Sequence, residues 1–450
     1  MPDQKVLIVN QHDLYGGAAR NSWDLFQGLR KQGVHAFMAV DYKQSNDPAV
    51  IAIPHICPNP FPWSHFFWNI SLFSQRYEGR IRGAGRLRHL LQTIASPTAL
   101  VQRHLGWEDF NFPGSHQILD LFPEKIDLVH LHNLHSNYFD LRFLPSLSKQ
   151  VPTLLTLLDT WLFAGHCGYS LGCERWLTGC GHCPYLSLYS PIKRDASGFN
   201  WQRKKEIYSQ SQLFVATPCE WMSNRLTKSI LMQSVREIRV IPSGTDQTIF
   251  HPGNRREARQ SLGLPMDAQI LLFVGQGTRA NPFKDYATME RAIQVVSSQL
   301  KDKNVIFLSL GYEGKSKPYE NSMIRHIPYS LDVTRVVKYY QASDIYLHAA
   351  HEDTFPNVVL EALSCGVPVI GTAVGGIPEQ ILDGETGFLI QHQDAVAMAQ
   401  RILTLLGDTS LCQKMGLQAQ EYARKHLSVD LAVERYRDYY VHIQEAYGRS

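Results

Sequence analysis

Short apolar runs of strand length alternate with longer helical patterns along the whole chain of 450 residues. In the first half the apolar runs lie at 5–10, 126–131, 152–158 and 213–217, and in the second half at 270–275, 304–311, 343–350 and 367–372. Continuous apolar strands between helices are typical of a parallel sheet that is covered on both faces. The sequence therefore predicts an α/β protein with doubly wound, Rossmann-like sheets.

The length of the chain predicts two domains of about 200 residues each, since one ordinary core would not be large enough. The strand–helix alternation fades over residues 243–265 and then restarts. We therefore expect an N-terminal domain over 1–245, a C-terminal domain over 246–428 and a last helix over 429–450. In doubly wound sheets the ligand is expected beyond the carboxyl ends of the strands.

Composition argues against several classes of protein. The formal net charge is only +3, which gives no indication of nucleic-acid binding. No run of about 18 apolar residues occurs, so we expect no membrane span. The start, MPDQKVLIVN, enters a strand-like run directly and is unlike a secretory signal. Eight cysteines in so long a chain do not indicate a secreted disulfide scaffold, and we expect a cytoplasmic protein.

An aromatic and basic insertion at 59–105 interrupts the alternation. It contains Trp63, Phe66, Phe67, Trp68 and Phe73, followed by Arg76, Arg80, Arg82, Arg86 and Arg88. Aromatic rings beside arginines suit the headgroup layer of an anionic membrane. The alternative is an insertion whose aromatic side chains cover the first domain while its arginines face water. Both interpretations remain open from the sequence.

The segment HEDTFPNVVLEALSCGVPVIGT, residues 351–372, predicts a helix flanked by strands. Pro356 suits the first turn of a helix because its missing N–H is not needed there. Gly366 suits the C-terminal end. We therefore expect a helix from about Phe355 to Cys365. The free N–H groups and positive dipole end of such a helix form a ready site for phosphate.

Two acids in this segment have two possible roles. Seven residues separate Asp353, just before the helix, from Glu361, inside it. Asp353 could offset the helix dipole and Glu361 could pair with a structural cation. Alternatively, both carboxylates could accept hydrogen bonds from ligand hydroxyls, since a buried Glu among apolar neighbours needs a partner.

Together with GTAVGGIPEQILDGETGFLI (371–390), this segment resembles the signature of the retaining glycosyltransferases of the GT-B fold, the glycosyl transferases group 1 of glycosyltransferase family four. In that family the first acid, here Asp353 in place of the usual Glu, addresses the transferred sugar. The second acid, which matches Glu361, binds the ribose hydroxyls of the nucleotide. Gly375–Gly376 match the glycine turn that follows, together with Glu379.

Two further loops resemble donor-binding loops of the same family. Gly16–Gly17 follow the first strand, where the absence of side chains would let a ligand approach a helix N-terminus. Lys284, in FVGQGTRANPFKDYATM (273–289), matches the lysine that faces the donor diphosphate. The arginine usually found nearby is out of register, and Arg279 is the candidate for it. Cations are needed here because the nucleoside diphosphate leaves as an anion.

A histidine cluster and a substituted strand end lie in the first half. His130, His132 and His135 could hold a metal, but the family places His-Asn at His132–Asn133, which favours a ligand-facing role. The stretch 153–184 resembles the colanic-acid type of exopolysaccharide glycosyltransferases, whose strand ends Thr-Leu-His-Asp-x-Trp. Leu158 replaces that histidine here. Either Asp159, His166 or His132 takes over its role, or catalysis is weak or lost.

Four cysteines lie within 17 residues of this stretch, at Cys167, Cys173, Cys180 and Cys183. One pair has C-x-x-C spacing, and His166 and His182 flank the group. This pattern predicts a structural metal site, with zinc favoured over an iron–sulfur cluster. The alternative is a set of reduced buried cysteines or a disulfide. A closed four-thiolate site would leave no open position for catalysis.

The resemblance implies a GT-B architecture of two Rossmann-like domains facing a cleft, with the last helix crossing back onto the first domain. The expected donor-binding residues are Gly16, Gly17, Arg279, Lys284, Asp353, Phe355, Asn357, Val358, Glu361, Gly375 and Gly376. The expected catalytic residues are Asp353, Lys284, Asp159 and His132. The aromatic stripe Tyr436, Tyr439 and Tyr440 in the last helix is expected to serve packing.

The implied function is transfer of a sugar, with retention of configuration, from a nucleotide diphosphate sugar to a glycan or lipid-linked acceptor. No catalytic metal is expected, and the pathway would be exopolysaccharide or cell-surface glycan synthesis on the inner membrane face. A glycan phosphorylase shares the fold, but the length and the lack of a pyridoxal-lysine signature oppose it. A catalytically silent binding subunit is the other alternative, favoured by Leu158 and the missing arginine.

Overall fold

The computed structural model describes residues 4–448, except 76, 78–80, 82, 276, 278–280, 301–303 and 320–321. The chain divides into two compact units. Unit 1 consists of 1–216, 225–239 and 440–450, and unit 2 consists of 217–224 and 240–439. Each unit therefore draws on separated stretches of the chain. The domain boundaries expected after residues 245 and 428 remain predictions.

Unit 1 is built on a seven-stranded sheet. Its strands are β1 (Lys5–His12), β2 (His35–Tyr42), β3 (Val50–Ala52), β4 (Leu128–His132), β5 (Thr153–Thr156), β6 (Leu213–Thr217) and β7 (Val235–Val240). They lie in the order β3-β2-β1-β4-β5-β6-β7, and the pairs from β3 to β6 are parallel. All residues of β4, β5 and β6 are buried, as expected for a parallel sheet covered on both faces.

The helices of the first half follow these strands. They are α1 (Gly17–Lys31), α2 (Pro62–Gln75), α3 (Ala84–Ala95), α4 (Pro97–Leu105), α5 (Leu144–Gln150), α6 (Ser197–Ser209) and α7 (Glu220–Leu226). Short 3₁₀ helices lie at Pro113–Asp120, Leu141–Phe143, Arg175–Leu177 and Ile230–Ser234. The aromatic and basic insertion thus forms α2, α3 and α4, between β3 and β4.

Unit 2 is built on a second seven-stranded sheet. Its strands are β8 (Gln269–Val274), β9 (Val305–Leu310), β10 (Lys317–Tyr319), β11 (Ser322–Ile327), β12 (Ile345–His348), β13 (Val369–Thr372) and β14 (Gly387–Ile390). The order is β10-β11-β9-β8-β12-β13-β14. Every pair is parallel except the β10–β11 hairpin. The predicted architecture of two doubly wound sheets is confirmed.

Helices of unit 2 are α8 (Arg255–Ser261), α9 (Tyr286–Gln299), α10 (Val333–Ala342), α11 (Asn357–Ser364), α12 (Ala395–Gly407) and α13 (Thr409–His426). Aspartate side chains accept hydrogen bonds from first-turn N–H groups and so define the start of four of them: Asp285 (α9), Asp332 (α10), Asp394 (α12) and Asp408 (α13). α9 and α12 cover one face of the sheet, where Met289, Ile293, Met398 and Ile402 are fully buried.

The last helix, α14 (Val429–Gly448), ends in unit 1. Within that unit the Tyr440 hydroxyl lies 2.7 Å from Nδ1 of the buried His130. Tyr436, Tyr439 and Tyr440 are all buried, so the aromatic stripe serves packing. No helix in the described ranges combines the length and apolarity needed to cross a bilayer.

The strand order of unit 2 determines where a ligand can bind. From β8 the chain continues to β9 on one side and later places β12 on the other. The order therefore reverses at β8 and β12, and the crevice beyond the carboxyl ends of such strands is the usual ligand position in doubly wound sheets.

Candidate active site

Three loops of unit 2 converge beyond the carboxyl ends of β8, β12 and β13. The loop after β8 carries Lys284, which forms an antiparallel bridge with Ala350 in the loop after β12. The Thr372 hydroxyl, at the end of β13, accepts a hydrogen bond from the Ala350 N–H at 3.0 Å. These contacts bring the side chain of Lys284 to Asp353, although 69 residues separate the two in sequence.

Lys284, Asp353 and His348 form a polar cluster at this edge, in which His348 is buried and the other two residues are half-buried. Lys284 Nζ donates to Asp353 Oδ2 at 2.5 Å. His348 is the last residue of β12, and its Nε2 lies 3.3 Å from the same oxygen and 3.4 Å from Lys284 Nζ. Its Nδ1 lies 3.3 Å from the Tyr346 hydroxyl. The neutral ring can therefore donate to the carboxylate and accept from the tyrosine.

The electrostatics of the cluster fix its protonation states. Burial alone would raise the pKa of Asp353, but the neighbouring Lys284 and His348 outweigh burial and hold that pKa well below its ordinary value. Burial, reinforced by Lys284, lowers the pKa of His348 to about 4. At neutral pH the cluster therefore contains a charged acid, a lysine and a neutral imidazole. A carboxylate kept ionised inside a protein is available to accept hydrogen bonds from a polar ligand.

Gly375 and Gly376 hold the Asp353 loop by backbone packing. A Cβ at Gly375, which has φ +59°, would overlap the carbonyl oxygen of Asp353, and one at Gly376 would overlap that of Thr354. The Gly376 N–H donates to the Asp353 carbonyl at 3.1 Å. The two glycines are thus needed for close backbone contact within unit 2, and this contact sets the position of the predicted sugar-binding acid.

Glu379, which follows this turn, caps a helix from a distant part of the chain. Its carboxylate accepts hydrogen bonds from the N–H groups of Glu220 and Trp221 at 2.7 and 2.8 Å. These groups belong to the first turn of α7 and need acceptors from outside the helix. The residues 217–224 are thereby attached to unit 2.

The helix expected over Phe355–Cys365 is α11, which begins two residues later and ends one residue earlier than expected. Pro356 precedes the helix in an extended conformation, with φ −64° and ψ 123°, and does not form its first turn. The expectation failed here because proline fixes φ but not ψ. Pro356, the residue before α11, provides no capping side chain, and the positive dipole end of the helix suits an anionic ligand.

The predicted donor residues of α11 occupy its first two turns. Phe355 is buried just before the helix, whereas Asn357 and Val358, its first two residues, are half-buried. Glu361, one turn later, accepts a hydrogen bond from the Tyr340 hydroxyl at 2.7 Å. A neutral tyrosine is therefore one partner of this carboxylate, and the sequence did not indicate it. Burial raises the pKa of Tyr340 well above its ordinary value, which keeps it a donor.

Three other predicted donor residues remain to be placed. Arg279 falls outside the described residues. Gly16 and Gly17 are in unit 1, where they join β1 to α1. Gly16 has φ +95°, and a Cβ there would meet nothing within 4 Å. Its conformation, and not crowding, requires glycine at this position.

Unit 1 has a second polar group beyond the ends of β4 and β5. Asp159 Oδ2 lies 2.8 Å from Nε2 of His135 and so accepts from it. On the other side of the ring, Nδ1 lies 2.6 Å from the Ser136 hydroxyl and 3.0 Å from that of Tyr189. The two hydroxyls are also hydrogen bonded to each other. The predicted Asp159 thus orients a histidine that in turn faces two hydroxyl groups.

His132, the other predicted catalytic residue of unit 1, lies at the end of β4. It is 2% exposed, and neither of its ring nitrogens has a hydrogen-bond partner in the described part of the chain. Burial lowers its pKa to about 3, so the ring is neutral at physiological pH. Leu158 is half-buried just after β5. His166 faces the cysteines and is not placed with Asp159.

Sequence reasoning missed several of these polar groups. His348 could have been found as a histidine at the end of a predicted strand, but its contacts with Lys284 and Asp353 could not. No sequence pattern indicated the group of Asp285, His351 and His392, whose three potential ligand atoms lie within 4.8 Å of one another. The Asp285 carboxylate accepts from the N–H and hydroxyl of Thr288, so we assign it to capping of α9.

Comparisons with known proteins agree with this geometry. Residues 254–422 match the family model described as glycosyl transferases group 1. The D-inositol 3-phosphate glycosyltransferase of Corynebacterium glutamicum is 31% identical over 203 residues, which cover 42% of this chain and 47% of that protein. The match thus spans about half the length of the relative. The two doubly wound sheets define the GT-B fold, and residues 254–422 are similar to the glycosyl transferases group 1.

Solved structures with this fold cover nearly the whole chain. Sucrose-phosphate synthase from Thermosynechococcus elongatus has a TM-score of 0.62 and 18% identity, covering 98% of this chain and 100% of that one. The Anabaena protein Alr3699/HepE, crystallised with UDP-glucose, has a TM-score of 0.57 and 14% identity, covering 99% and 100%. At these identities the similarity establishes the fold.

The contact between Gly375 and Asp353 predicts unequal effects of two glycine substitutions. Gly375→Ala and Gly384→Ala both place a side chain at positive φ, which is strained by about 1–2 kcal/mol. Only Gly375→Ala also overlaps a backbone carbonyl, since a Cβ at Gly384 meets nothing within 4 Å. We expect Gly375→Ala to lose roughly 1–3 kcal/mol more stability in thermal unfolding. Equal losses would mean that the close contact has no energetic importance.

His348 predicts a specific pH dependence of stability. Its pKa falls from 6.5 to about 4 on folding, so the unfolded chain binds an extra proton in this window. The free energy of unfolding therefore decreases as the pH is lowered from 6.5 towards 4. In urea titrations, His348→Gln should flatten this slope by up to about 1.4 kcal/mol per pH unit. Exposed His426→Gln serves as the control, and an unchanged slope in His348→Gln would contradict the neutral imidazole.

Proposed function

We propose that this protein is a retaining glycosyltransferase that takes a sugar from a nucleoside diphosphate donor. The observation that carries the proposal is the polar cluster of Lys284, Asp353 and His348 at the strand-order reversal of unit 2. It lies beside the start of α11 and inside the segment that matches the family. A cation and a helix N-terminus next to an acid suit a ligand that joins a diphosphate to a polyhydroxyl group.

Each side chain of the cluster has a role in this proposal. Lys284 and the first N–H groups of α11 would stabilise the negative charge that develops on the departing diphosphate. Lys284 is paired with Asp353 in this structure, so an entering diphosphate would compete with the Asp353 carboxylate for the lysine. Asp353 would then accept hydrogen bonds from sugar hydroxyls, and Gly375 would keep its backbone in place. Positioning of the reactants supplies the rest of the rate enhancement.

Glu361 is proposed to bind the ribose of the donor. Its carboxylate lies one turn inside α11, where it accepts a hydrogen bond from the Tyr340 hydroxyl. The two oxygens of a carboxylate suit two adjacent hydroxyl groups such as those of a ribose. UDP-glucose is the first donor to examine, because the Anabaena protein of the same fold was crystallised with it.

We propose that the acceptor binds in unit 1. A cavity of about 420 Å³ lies within that unit, and Asp41, Arg88, Trp107, Ser136 and Tyr138 are among its lining residues. An aromatic ring beside charged and hydroxyl groups suits a sugar, which has apolar faces and polar edges. Ser136 connects this cavity to the group formed by His135 and Asp159, which would orient an acceptor hydroxyl. The colanic-acid-like motif at 153–184 supports an exopolysaccharide acceptor.

A catalytically silent binding subunit is the second candidate function. Leu158 favours it, since the related exopolysaccharide enzymes have a histidine at this position. His132 ends β4, the neighbour of β5 in the sheet, and His135 follows it by three residues. These two histidines could replace the imidazole that is absent at Leu158. Such a subunit would bind a sugar nucleotide or a glycan, and one that binds a sugar nucleotide would differ from the transferase only in turnover.

Donor binding and turnover can be measured separately. Thermal shifts and donor hydrolysis are recorded with a panel of nucleoside diphosphate sugars, for the natural chain and for Glu361→Gln. Loss of a charged hydrogen-bond acceptor should weaken donor binding about tenfold or more. Exposed Glu434→Gln is the matched control and should bind normally.

The outcomes distinguish the two functions. A shift with turnover that Glu361→Gln weakens supports the transferase, and the anomeric configuration of the product then tests retention. A shift without turnover, even with lipid-linked acceptors supplied, favours the silent subunit. If no nucleotide sugar shifts the protein, the assignment of the donor site is wrong.

We further propose that α2, α3 and α4 contact an anionic membrane surface. Their exposed large apolar side chains follow helical spacing: Trp63, Phe66, Ile70 and Phe73 on α2, and Leu87, Leu90 and Ile94 on α3. Trp68, which was expected among the membrane-facing aromatics, instead donates to the His55 carbonyl and anchors α2. The segment 59–105 has six arginines and a single acid. Of these arginines Arg76, Arg80 and Arg82 lie outside the described residues.

Co-sedimentation with lipid vesicles tests this surface. The protein should sediment with vesicles of three parts phosphatidylcholine to one part phosphatidylglycerol, and salt should weaken binding. The double variant Phe66→Ser/Phe73→Ser should lose most of it. Leu417→Ser, an exposed apolar residue on α13, is the control. Equal binding to pure phosphatidylcholine, or no binding, would contradict an electrostatic membrane contact.

A further inference from the structure

The four clustered cysteines of unit 1 surround one small cavity. Cys167, Cys173, Cys180 and Cys183 all line it, together with His166. All four thiols are free, and the loop that carries them lies between β5 and α6. This grouping distinguishes the four cysteines from Cys57 and Cys412, which do not line the cavity.

The backbone of the C-x-x-C pair turns the two sulfur atoms towards the cavity. Cys180 and His182 have positive φ values of 56° and 49°, which L-residues rarely adopt. The N–H of Gly165 points at Cys180 Sγ at 3.3 Å, and that of Tyr185 at Cys183 Sγ at 3.4 Å. Backbone N–H donors aimed at sulfur would stabilise negative charge on metal-bound thiolates. They offset part of the burial that raises the pKa of both thiols.

The size of the cavity selects among the possible metals. Its volume is about 20 Å³, close to the space that one water molecule occupies. A single zinc ion with four thiolate ligands has this scale, whereas an iron–sulfur cluster contains several additional iron and sulfide atoms. The space thus favours a mononuclear site.

His166 is a further side chain with a ring nitrogen directed at a cysteine of the cavity. Its Nδ1 lies 2.9 Å from the Ser190 carbonyl and so donates to it. This leaves the lone pair of Nε2, which lies 3.2 Å from Cys183 Sγ and accepts from its thiol. The contact holds the Cys183 sulfur at the cavity until the thiol loses its proton on binding a metal.

The cysteine loop is held in place from outside by polar contacts. Asp195 accepts from the Cys183 N–H at 2.7 Å, and Ser197 accepts from the Gly181 N–H at 3.0 Å. The Ser170 hydroxyl accepts from Arg225 at 2.6 Å. These contacts bring the four sulfur atoms near one another, but no three of them lie within 4.8 Å of each other. Among the described residues, only the group of Asp285, His351 and His392 has three ligand atoms that close. Binding thus requires a small inward movement of the loop.

We propose that Cys167, Cys173, Cys180 and Cys183 bind one structural zinc ion as a four-thiolate site. The ion would fix the loop that follows β5 and Asp159, and so preserve the polar group of unit 1. A site with four protein ligands has no open position, so the zinc would stabilise the fold and take no part in sugar transfer. The proposal does not depend on the donor or the acceptor.

Metal content is the direct test. The full-length protein is expressed in zinc-supplemented medium, dialysed, and analysed by elemental mass spectrometry. We expect close to one zinc per chain in the natural protein and in Cys412→Ser, and a large loss in Cys180→Ser/Cys183→Ser. Because the double variant could fail to fold, the natural protein is also loaded with cobalt. A four-thiolate cobalt site absorbs strongly through thiolate-to-metal charge transfer and shows the visible bands of tetrahedral geometry.

Each result decides the matter. Stoichiometric zinc, with a tetrahedral thiolate spectrum from cobalt, supports the site. Substoichiometric zinc in the natural protein, or zinc retained by Cys180→Ser/Cys183→Ser, overturns it. Iron with inorganic sulfide would overturn the mononuclear assignment. A cobalt spectrum without thiolate charge transfer would locate the metal elsewhere, with Asp285, His351 and His392 as the alternative ligands.

Discussion

The ion pair of Lys284 and Asp353 is the interaction on which the candidate donor site of unit 2 depends. A buried carboxylate is stable only with a nearby cation or several hydrogen bonds, and here one lysine and one histidine supply both. The pair exists because β8 and β12 are neighbours in the sheet, so that the loops after them meet. The sheet topology thus brings a lysine to the Asp353 carboxylate from 69 residues away in sequence. A bound diphosphate would take the place of that carboxylate as the anion next to Lys284.

Neutral groups complete the charged pair. His348, buried and uncharged, contacts both Lys284 and Asp353 without adding a third charge. The Tyr340 hydroxyl donates a hydrogen bond to Glu361. In unit 1 His135 connects Asp159 to two hydroxyl groups in a comparable way. Both units therefore place an acid beyond the strand ends and surround it with groups that orient it. Such preorganisation is what an enzyme that works by positioning requires.

Much of the architecture could be predicted from the sequence, because buried parallel strands leave continuous apolar runs. The candidates Asp353 and Glu361 were found through a long motif and Lys284 through a separate loop, and the structure brings Lys284 and Asp353 into contact. The partner of Glu361 and the role of His348 could not be predicted, since both are tertiary contacts between separated elements. The start of α11 was misplaced because proline leaves ψ undetermined. The donor-binding role of the glycine turn stays a prediction, and the packing of Gly375 on the Asp353 backbone is a contact that the sequence did not reveal.

The cap that Glu379 provides for α7 has a consequence for how the protein must be made. The chain passes between the two units after residues 216, 224, 239 and 439, so neither unit is encoded by one uninterrupted stretch. During synthesis the ribosome produces Glu220 159 residues before its acceptor. The Glu379 cap on the first turn of α7 can therefore form only after most of unit 2 has been synthesised. A fragment that begins at residue 240 would lack α7 and with it this contact.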